Sequence, residues 1–137
     1  MTDIITLAAA AYPLDWFDSF DAWAAKAAHW VGDAAGQGAD LLVFPEYAAM
    51  ELASLGGAVV AGDLQGALAE VARHRAAMEQ VFQDLAARHG VHILGPSGPV
   101  FTGARPVNRA TLHGPGGILG HQDKQIMTRF EREEWNV

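Results

Sequence analysis

The chain has 137 residues, of which half are hydrophobic and 18% are charged, so its composition is that of one globular domain. Its net charge of −7 argues against nucleic acid or an anionic membrane surface as the main partner. The sequence contains no cysteine, which excludes a disulfide framework, a thiolate zinc site and a thiol nucleophile within these residues.

The first third of the chain predicts two buried strands separated by a helix. Residues 4–10 form a short apolar run with no preceding Lys or Arg, which favours a strand over a signal peptide. A helix with apolar residues at intervals of three and four is expected between an N-cap at Asp15 and a stop at Gly36. Residues 41–44 form the second strand, which Pro45 ends.

The rest of the chain predicts one long helix followed by three strands. After a loop around Gly56 and Gly57, apolar periodicity indicates a helix over residues 64–89 that ends at Gly90. A third strand is expected at 91–95, a loop at 97–106, and a hairpin with strands at 107–112 and 118–122. The order β-α-β-α-β-β-β predicts a single α/β domain, or part of one, spanning residues 1–137.

Glu46 is the first candidate site residue, because it directly follows a predicted buried strand. Ligands of open α/β sheets bind at the carboxyl ends of the strands. A carboxylate between Phe44 and Tyr47 at such an end suits a general base. The alternative interpretation is a surface glutamate that caps the next turn.

Lys124 is the second candidate, since it follows the last predicted strand and could place an ammonium beside a developing oxyanion. A solvated lysine is the alternative. The six histidines form no metal-ligand motif, so neither a metal nor another cofactor is expected. Ser97 lacks the strand–turn–helix setting of a nucleophile elbow. The residues after the first strand, Tyr12 to Asp15, are not the Gly-rich phosphate loop of a flavodoxin-like domain.

An ordered set of motifs resembles the nitrilase superfamily of carbon–nitrogen hydrolases over about residues 4–135. The set comprises Phe44-Pro45-Glu46, the segment 89–95, Asn108 in the hairpin, and Lys124. The resemblance implies part of an α-β-β-α sandwich, in which two sheets pack face to face with helices outside.

The same resemblance assigns roles to residues of the site. It makes Glu46 the general base and Lys124 the oxyanion-stabilising lysine. A second glutamate that positions substrate is expected at Glu133, because a tryptophan lies two residues later, with Glu131 and Glu134 as competitors. The nucleophilic cysteine of the family would lie on a later strand, beyond Val137.

The function implied by the resemblance is hydrolysis of an amide or nitrile to a carboxylic acid and ammonia or an amine. Without the cysteine, the chain is expected to be inactive by itself. The alternative is a noncatalytic α/β binding or interaction module, a remnant of such an enzyme. A small-molecule substrate, homo-oligomers and a cytoplasmic location are further expectations. The choice among nitrile, primary amide, carbamoyl and ureido substrates stays open.

Overall fold

The computed structural model describes residues 3–137 as one six-stranded sheet that shares a core with the helices. The strands are β1 (Leu7–Ala9), β2 (Leu41–Val43), β3 (His92–Leu94), β4 (Gly98–Phe101), β5 (Pro106–Gly114) and β6 (Gly117–Asp123). The helices are α1 (Phe20–Gly36), α2 (Gly57–Gly62), α3 (Leu64–Arg73) and α4 (Arg75–His89), together with a 3-10 helix (Ala48–Gly56) and a helical turn (Glu131–Trp135). The architecture is the α/β class that the sequence predicts.

The strand directions bring two chain segments to the same edge of the sheet. β1, β2 and β3 are parallel, whereas β5 is antiparallel to β3, β4 and β6. β4 and β6 lie on opposite sides of β5, because Arg109 pairs with both Gly98 and Asp123. β6 therefore runs in the same direction as β2. The residues that follow these two strands, including Glu46 and Lys124, consequently emerge at the same end of the sheet.

One face of the sheet carries the core of the protein. Its side chains alternate with those of the opposite face, as the period of two in a strand requires. Helices α1 and α4 cover this face. The buried side chains that they share with the sheet are Trp23, Ala27, Val31, Leu42, Phe44, Met78, Phe82, Leu85 and Ile93.

The buried ion pair of Glu51 with Lys26 fixes the segment between β1 and α1. The Glu51 carboxylate, whose side chain is 1% exposed, accepts hydrogen bonds from the Tyr12 hydroxyl (2.5 Å), the Trp23 indole (2.9 Å) and Lys26 Nζ (2.8 Å). It also accepts the Asp15 N–H at 3.2 Å. Because its donors come from both sides of the α1 start, Glu51 ties this loop to the 3-10 helix.

Several predicted elements differ from the structure for identifiable reasons. Helix α1 begins after Ser19, whose side chain accepts the Ala22 N–H, and not after Asp15, which the ion pair engages. The predicted long helix is divided at His74, and the Arg75 guanidinium that follows donates to the Thr111 hydroxyl on β5 at 2.8 Å.

Three further corrections concern loops and the first strand. The region around Gly56 is helical, with the 3-10 helix followed by α2. The predicted loop at 97–106 contains β4, and Gly98 allows it to approach the 3-10 helix, since an added Cβ would lie 2.8 Å from Ala49 Cβ. β1 is an edge strand with an exposed Leu7, whereas the sequence predicts a buried one.

The opposite face of the sheet is apolar and remains partly exposed. Leu41, Val43, Leu94 and Leu112 are half-buried there, and Leu119 on β6 is 62% exposed. An apolar surface of this kind favours association.

We therefore expect these 137 residues, purified alone, to self-associate. Dynamic light scattering should show particles larger than a monomer, and Leu119→Gln should reduce their size more than Val59→Gln. Val59 is 88% exposed but lies on α2, away from the sheet. A monodisperse monomer with one sharp thermal transition would contradict this expectation.

Candidate active site

Lys124 lies between two carboxylates at the edge of the sheet where β2 and β6 end. Its Nζ atom is 2.8 Å from Glu46 Oε1 and 2.9 and 3.1 Å from the two Glu131 oxygens. The side chain of Glu131 is 3% exposed and that of Glu46 is 55% exposed. The structure thus brings together a buried carboxylate, a lysine and an open carboxylate.

The turn after β2 places Glu46 and Tyr47 at this edge. The Phe44 N–H still bonds to the Leu94 carbonyl, but Pro45 has no N–H and ends the pairing. Tyr47 then adopts a left-handed conformation with φ of 57°, which is rare for a bulky side chain. Its N–H donates to Ser97 Oγ at 2.9 Å, which anchors the turn to the segment before β4.

Asn108 on β5 contacts both charged residues. Its main-chain carbonyl accepts the Lys124 N–H at 2.9 Å, and its side-chain amide donates to Glu46 Oε1 at 3.2 Å. Glu46 Oε1 therefore accepts two hydrogen bonds, whereas Oε2 has no partner among residues 3–137. The carboxylate is held by one oxygen, and the residue as a whole lines the adjoining cleft.

Glu131 occupies its place through a reciprocal capping interaction. The Thr128 N–H donates to Glu131 Oε2 at 2.7 Å, and the Glu131 N–H donates to Thr128 Oγ1 at 3.2 Å. This is the capping box of a Thr-x-x-Glu sequence. The motif was a sequence signal that could have distinguished Glu131 from its neighbours.

Glu133 does not join the cluster. Its carboxylate pairs with Arg129 at 2.8 Å, and the two side chains are 55% and 83% exposed. Position in the helical turn explains the difference, because Glu131 is the residue that folds back onto Thr128 and so faces Lys124. Glu131, and not Glu133, is therefore the glutamate of this turn that lies beside the lysine.

The charges of the cluster stabilise one another. Burial acts to raise the pKa of Glu131, but hydrogen bonds from Tyr47, Thr128 and Lys124 outweigh it and lower this pKa to about 2. Hydrogen bonds to Glu46 and Glu131 raise the pKa of Lys124 above its ordinary value. Lys124 is thus held as an ammonium and Glu131 as a carboxylate near neutral pH.

An open cleft of about 260 Å³ adjoins these residues. Its lining combines polar groups with apolar side chains: Phe44, Glu46, Leu94, Gly95, Ser97, Asn108, Ala110, Gln122 and Lys124. Within residues 3–137, no three His, Asp or Glu side chains are arranged to hold a metal ion. In the same part of the chain, no helix has the length and hydrophobicity needed to cross a membrane.

Three solved structures resemble the chain in fold. A carbon-nitrogen hydrolase from Helicobacter pylori G27 is 14% identical, with a TM-score of 0.69 over 96% of this chain and 43% of that protein. A mutant amidase from Nesterenkonia sp. AN1, described as showing Michael addition of acrylamide at the active site cysteine, is 24% identical, with a TM-score of 0.60 over 94% and 48%. A glutamine-dependent NAD(+) synthetase from Cytophaga hutchinsonii is 19% identical, with a TM-score of 0.61 over 91% and 20%.

These proteins confirm the predicted fold class, and the chain spans less than half the length of each of them. No curated protein sequence matches the chain. The profile of the carbon-nitrogen hydrolase family matches residues 6–136, which is nearly the whole sequence. The chain therefore belongs to the carbon-nitrogen hydrolase family.

Proposed function

We propose that the chain supplies the base and the oxyanion-stabilising lysine of an enzyme that hydrolyses a small amide or nitrile. The observation that carries this proposal is the placement of Lys124 Nζ 2.8 Å from Glu46 and 2.9 Å from Glu131 at the mouth of the cleft. In this assignment Glu46 is the general base, Lys124 stabilises the oxyanion, and Glu131 keeps the lysine charged and in place.

The free oxygen of Glu46 supports its proposed role. A base must reach a proton outside the cluster, and Oε2 is not occupied by any residue described in the structure. Lys124 has three N–H groups, and one of them can serve both Glu131 oxygens, at 2.9 and 3.1 Å. A second serves Glu46, so the third is available to a developing oxyanion.

The proposed nucleophile is a cysteine outside these 137 residues. The Nesterenkonia amidase has an active site cysteine, to which acrylamide adds, and a cysteine in the same role is the nucleophile proposed here. Glu46 would take the thiol proton as sulfur attacks the amide carbon, then return it to the leaving ammonia or amine. Water would cleave the resulting thioester, with Glu46 accepting its proton, to release the acid and restore the thiol.

A noncatalytic binding module is the second candidate, because the sequence contains no cysteine. Reading the coding sequence beyond Val137 separates the two. A cysteine on an apolar strand farther along supports the hydrolase, whereas an immediate stop codon favours the remnant.

The proposal predicts that Glu46→Gln in the cysteine-containing protein lowers turnover by roughly 10²–10⁴-fold. The amide keeps the shape of the side chain and its contact with Lys124 but cannot accept the thiol proton. Ammonia release from short amides and nitriles measures the loss. Glu133→Gln is the matched control, since it makes the same change at a carboxylate that pairs with the exposed Arg129 outside the cluster. Turnover that survives Glu46→Gln would refute the assignment.

A further inference from the structure

The chain contains two lysines and two tyrosines, and each lysine shares a buried glutamate with one tyrosine. Tyr12 donates to Glu51 at 2.5 Å beside Lys26, and Tyr47 donates to Glu131 at the same distance beside Lys124. The first group is closed, because Lys26 Nζ also bonds to the Pro13 carbonyl and to Asp15. In the second group, Lys124 also pairs with Glu46, and both residues line the cleft.

We propose that Tyr47 is a positioning residue of the proposed hydrolase site, whose hydroxyl holds the Glu131 carboxylate against Lys124. This inference rests on the proposed function for its catalytic meaning. Its basis is geometric, since Glu131 Oε1 receives both the Tyr47 hydroxyl at 2.5 Å and Lys124 Nζ at 3.1 Å.

The conformation of Tyr47 fits a residue fixed for this purpose. A left-handed backbone at a tyrosine persists only where the surroundings impose it. Here the N–H is bound by Ser97, and the ring packs edge-on against Trp135 at a centroid distance of 5.1 Å. Burial and the bond to Glu131 raise the pKa of Tyr47, so its hydroxyl stays protonated and donates. Tyr47, which directly follows the proposed base Glu46, thus also positions Glu131 beside Lys124.

Removing the hydroxyl should loosen Glu131 and expose the lysine to chemical modification. An amine reacts with acetic anhydride as the free base, so a lysine whose ammonium loses a stabilising carboxylate contact is modified faster. Because the chain has two lysines, mass spectrometry can follow both in one sample, and Tyr12 provides a matched control of identical chemistry.

Brief acetylation of the 137-residue chain at pH 8 tests the inference. Tyr47→Phe should accelerate modification of Lys124 about three- to tenfold and leave Lys26 unchanged, whereas Tyr12→Phe should do the reverse. No change at Lys124 in Tyr47→Phe would overturn the inference. An equal acceleration of both lysines would also overturn it, because general destabilisation exposes both.

A second readout links positioning to the reaction. In the cysteine-containing protein, Tyr47→Phe should lower kcat about tenfold and change KM by less than about twofold, since the interaction strengthens the oxyanion contact and not ground-state binding. An unchanged kcat would overturn the catalytic part. The labelling needs no turnover, so failure of the proposed function, seen as hydrolysis that survives Glu46→Gln, is distinguishable from failure of this inference.

Discussion

Purified alone, the 137-residue chain should release ammonia from amides and nitriles at no more than roughly one-millionth of the rate of an intact family enzyme. Covalent catalysis needs a nucleophile that is activated and then regenerated, and the sequence has no cysteine. Glu46 and Lys124 could polarise an amide and direct water to it, which leaves only a background rate.

Neither Ser54 nor Ser97 replaces the thiol. Ser54 Oγ donates to the Glu51 carbonyl at 2.6 Å and accepts the Phe17 N–H, so it belongs to the hydrogen-bonded group around Glu51. Ser97 Oγ lines the cleft but accepts the Tyr47 N–H, and no hydrogen bond among the described residues joins it to Glu46. Neither hydroxyl is paired with the proposed base.

The measurement is ammonia release from a panel of short aliphatic and aromatic substrates at high protein concentration. The cysteine-containing protein is the positive control, and hydrolysis should appear when the proposed cysteine-bearing segment is added to the 137 residues in trans. Turnover near ~10 per second from the 137 residues alone, lost on Glu46→Gln, would show that the nucleophile argument is wrong.

The ends of β2 and α4 could be predicted from the sequence because their signals are local. Pro45 ends the pairing of β2 whatever surrounds it, and Gly90 ends α4 in a left-handed conformation with φ of 64°. The hairpin was also predicted, whereas the parallel course of β2 and β6, which puts Glu46 and Lys124 at one edge, depends on the antiparallel pairing of β3 with β5.

The parts that the sequence did not predict depend on long-range contacts. Asp15 has the residue type of an N-cap, but its N–H is taken by Glu51, a residue 36 positions away. Arg75 interrupts a helical pattern because its partners are on β5. Asn108 holds Glu46 across 62 residues, and no spacing rule connects such positions.

The choice among the candidate glutamates near the C-terminus also depended on a contact that the sequence does not show. Three acidic residues occupy positions 131, 133 and 134, and proximity to Trp135 does not distinguish them. What selects Glu131 is the capping box with Thr128, which turns its side chain toward Lys124. A local motif was present, but its significance depended on where Lys124 lies.

Glu131→Gln should therefore cost about 2–4 kcal/mol of stability, whereas Glu133→Gln should cost about 0.5 kcal/mol or less. All partners of the buried Glu131 side chain are donors: Tyr47, Lys124 and the Thr128 N–H. Either orientation of a glutamine amide would direct its NH₂ group at one of them. Among residues 3–137, the only partner of the Glu133 carboxylate is the exposed Arg129.

The pH dependence of the unfolding free energy tests this prediction a second time, because the direction of the change is fixed. The pKa of Glu131 lies near 2 in the folded chain, below its ordinary value of 4.5, so its carboxylate stabilises the fold above pH 4.5. That contribution is lost as pH falls from 4.5 toward 2. Urea unfolding should thus separate the natural chain from Glu131→Gln most at pH 7 and much less at pH 3. A gap that does not shrink with acid, or an equal loss in Glu133→Gln, would mean that Glu131 is not the buried charge that holds Lys124.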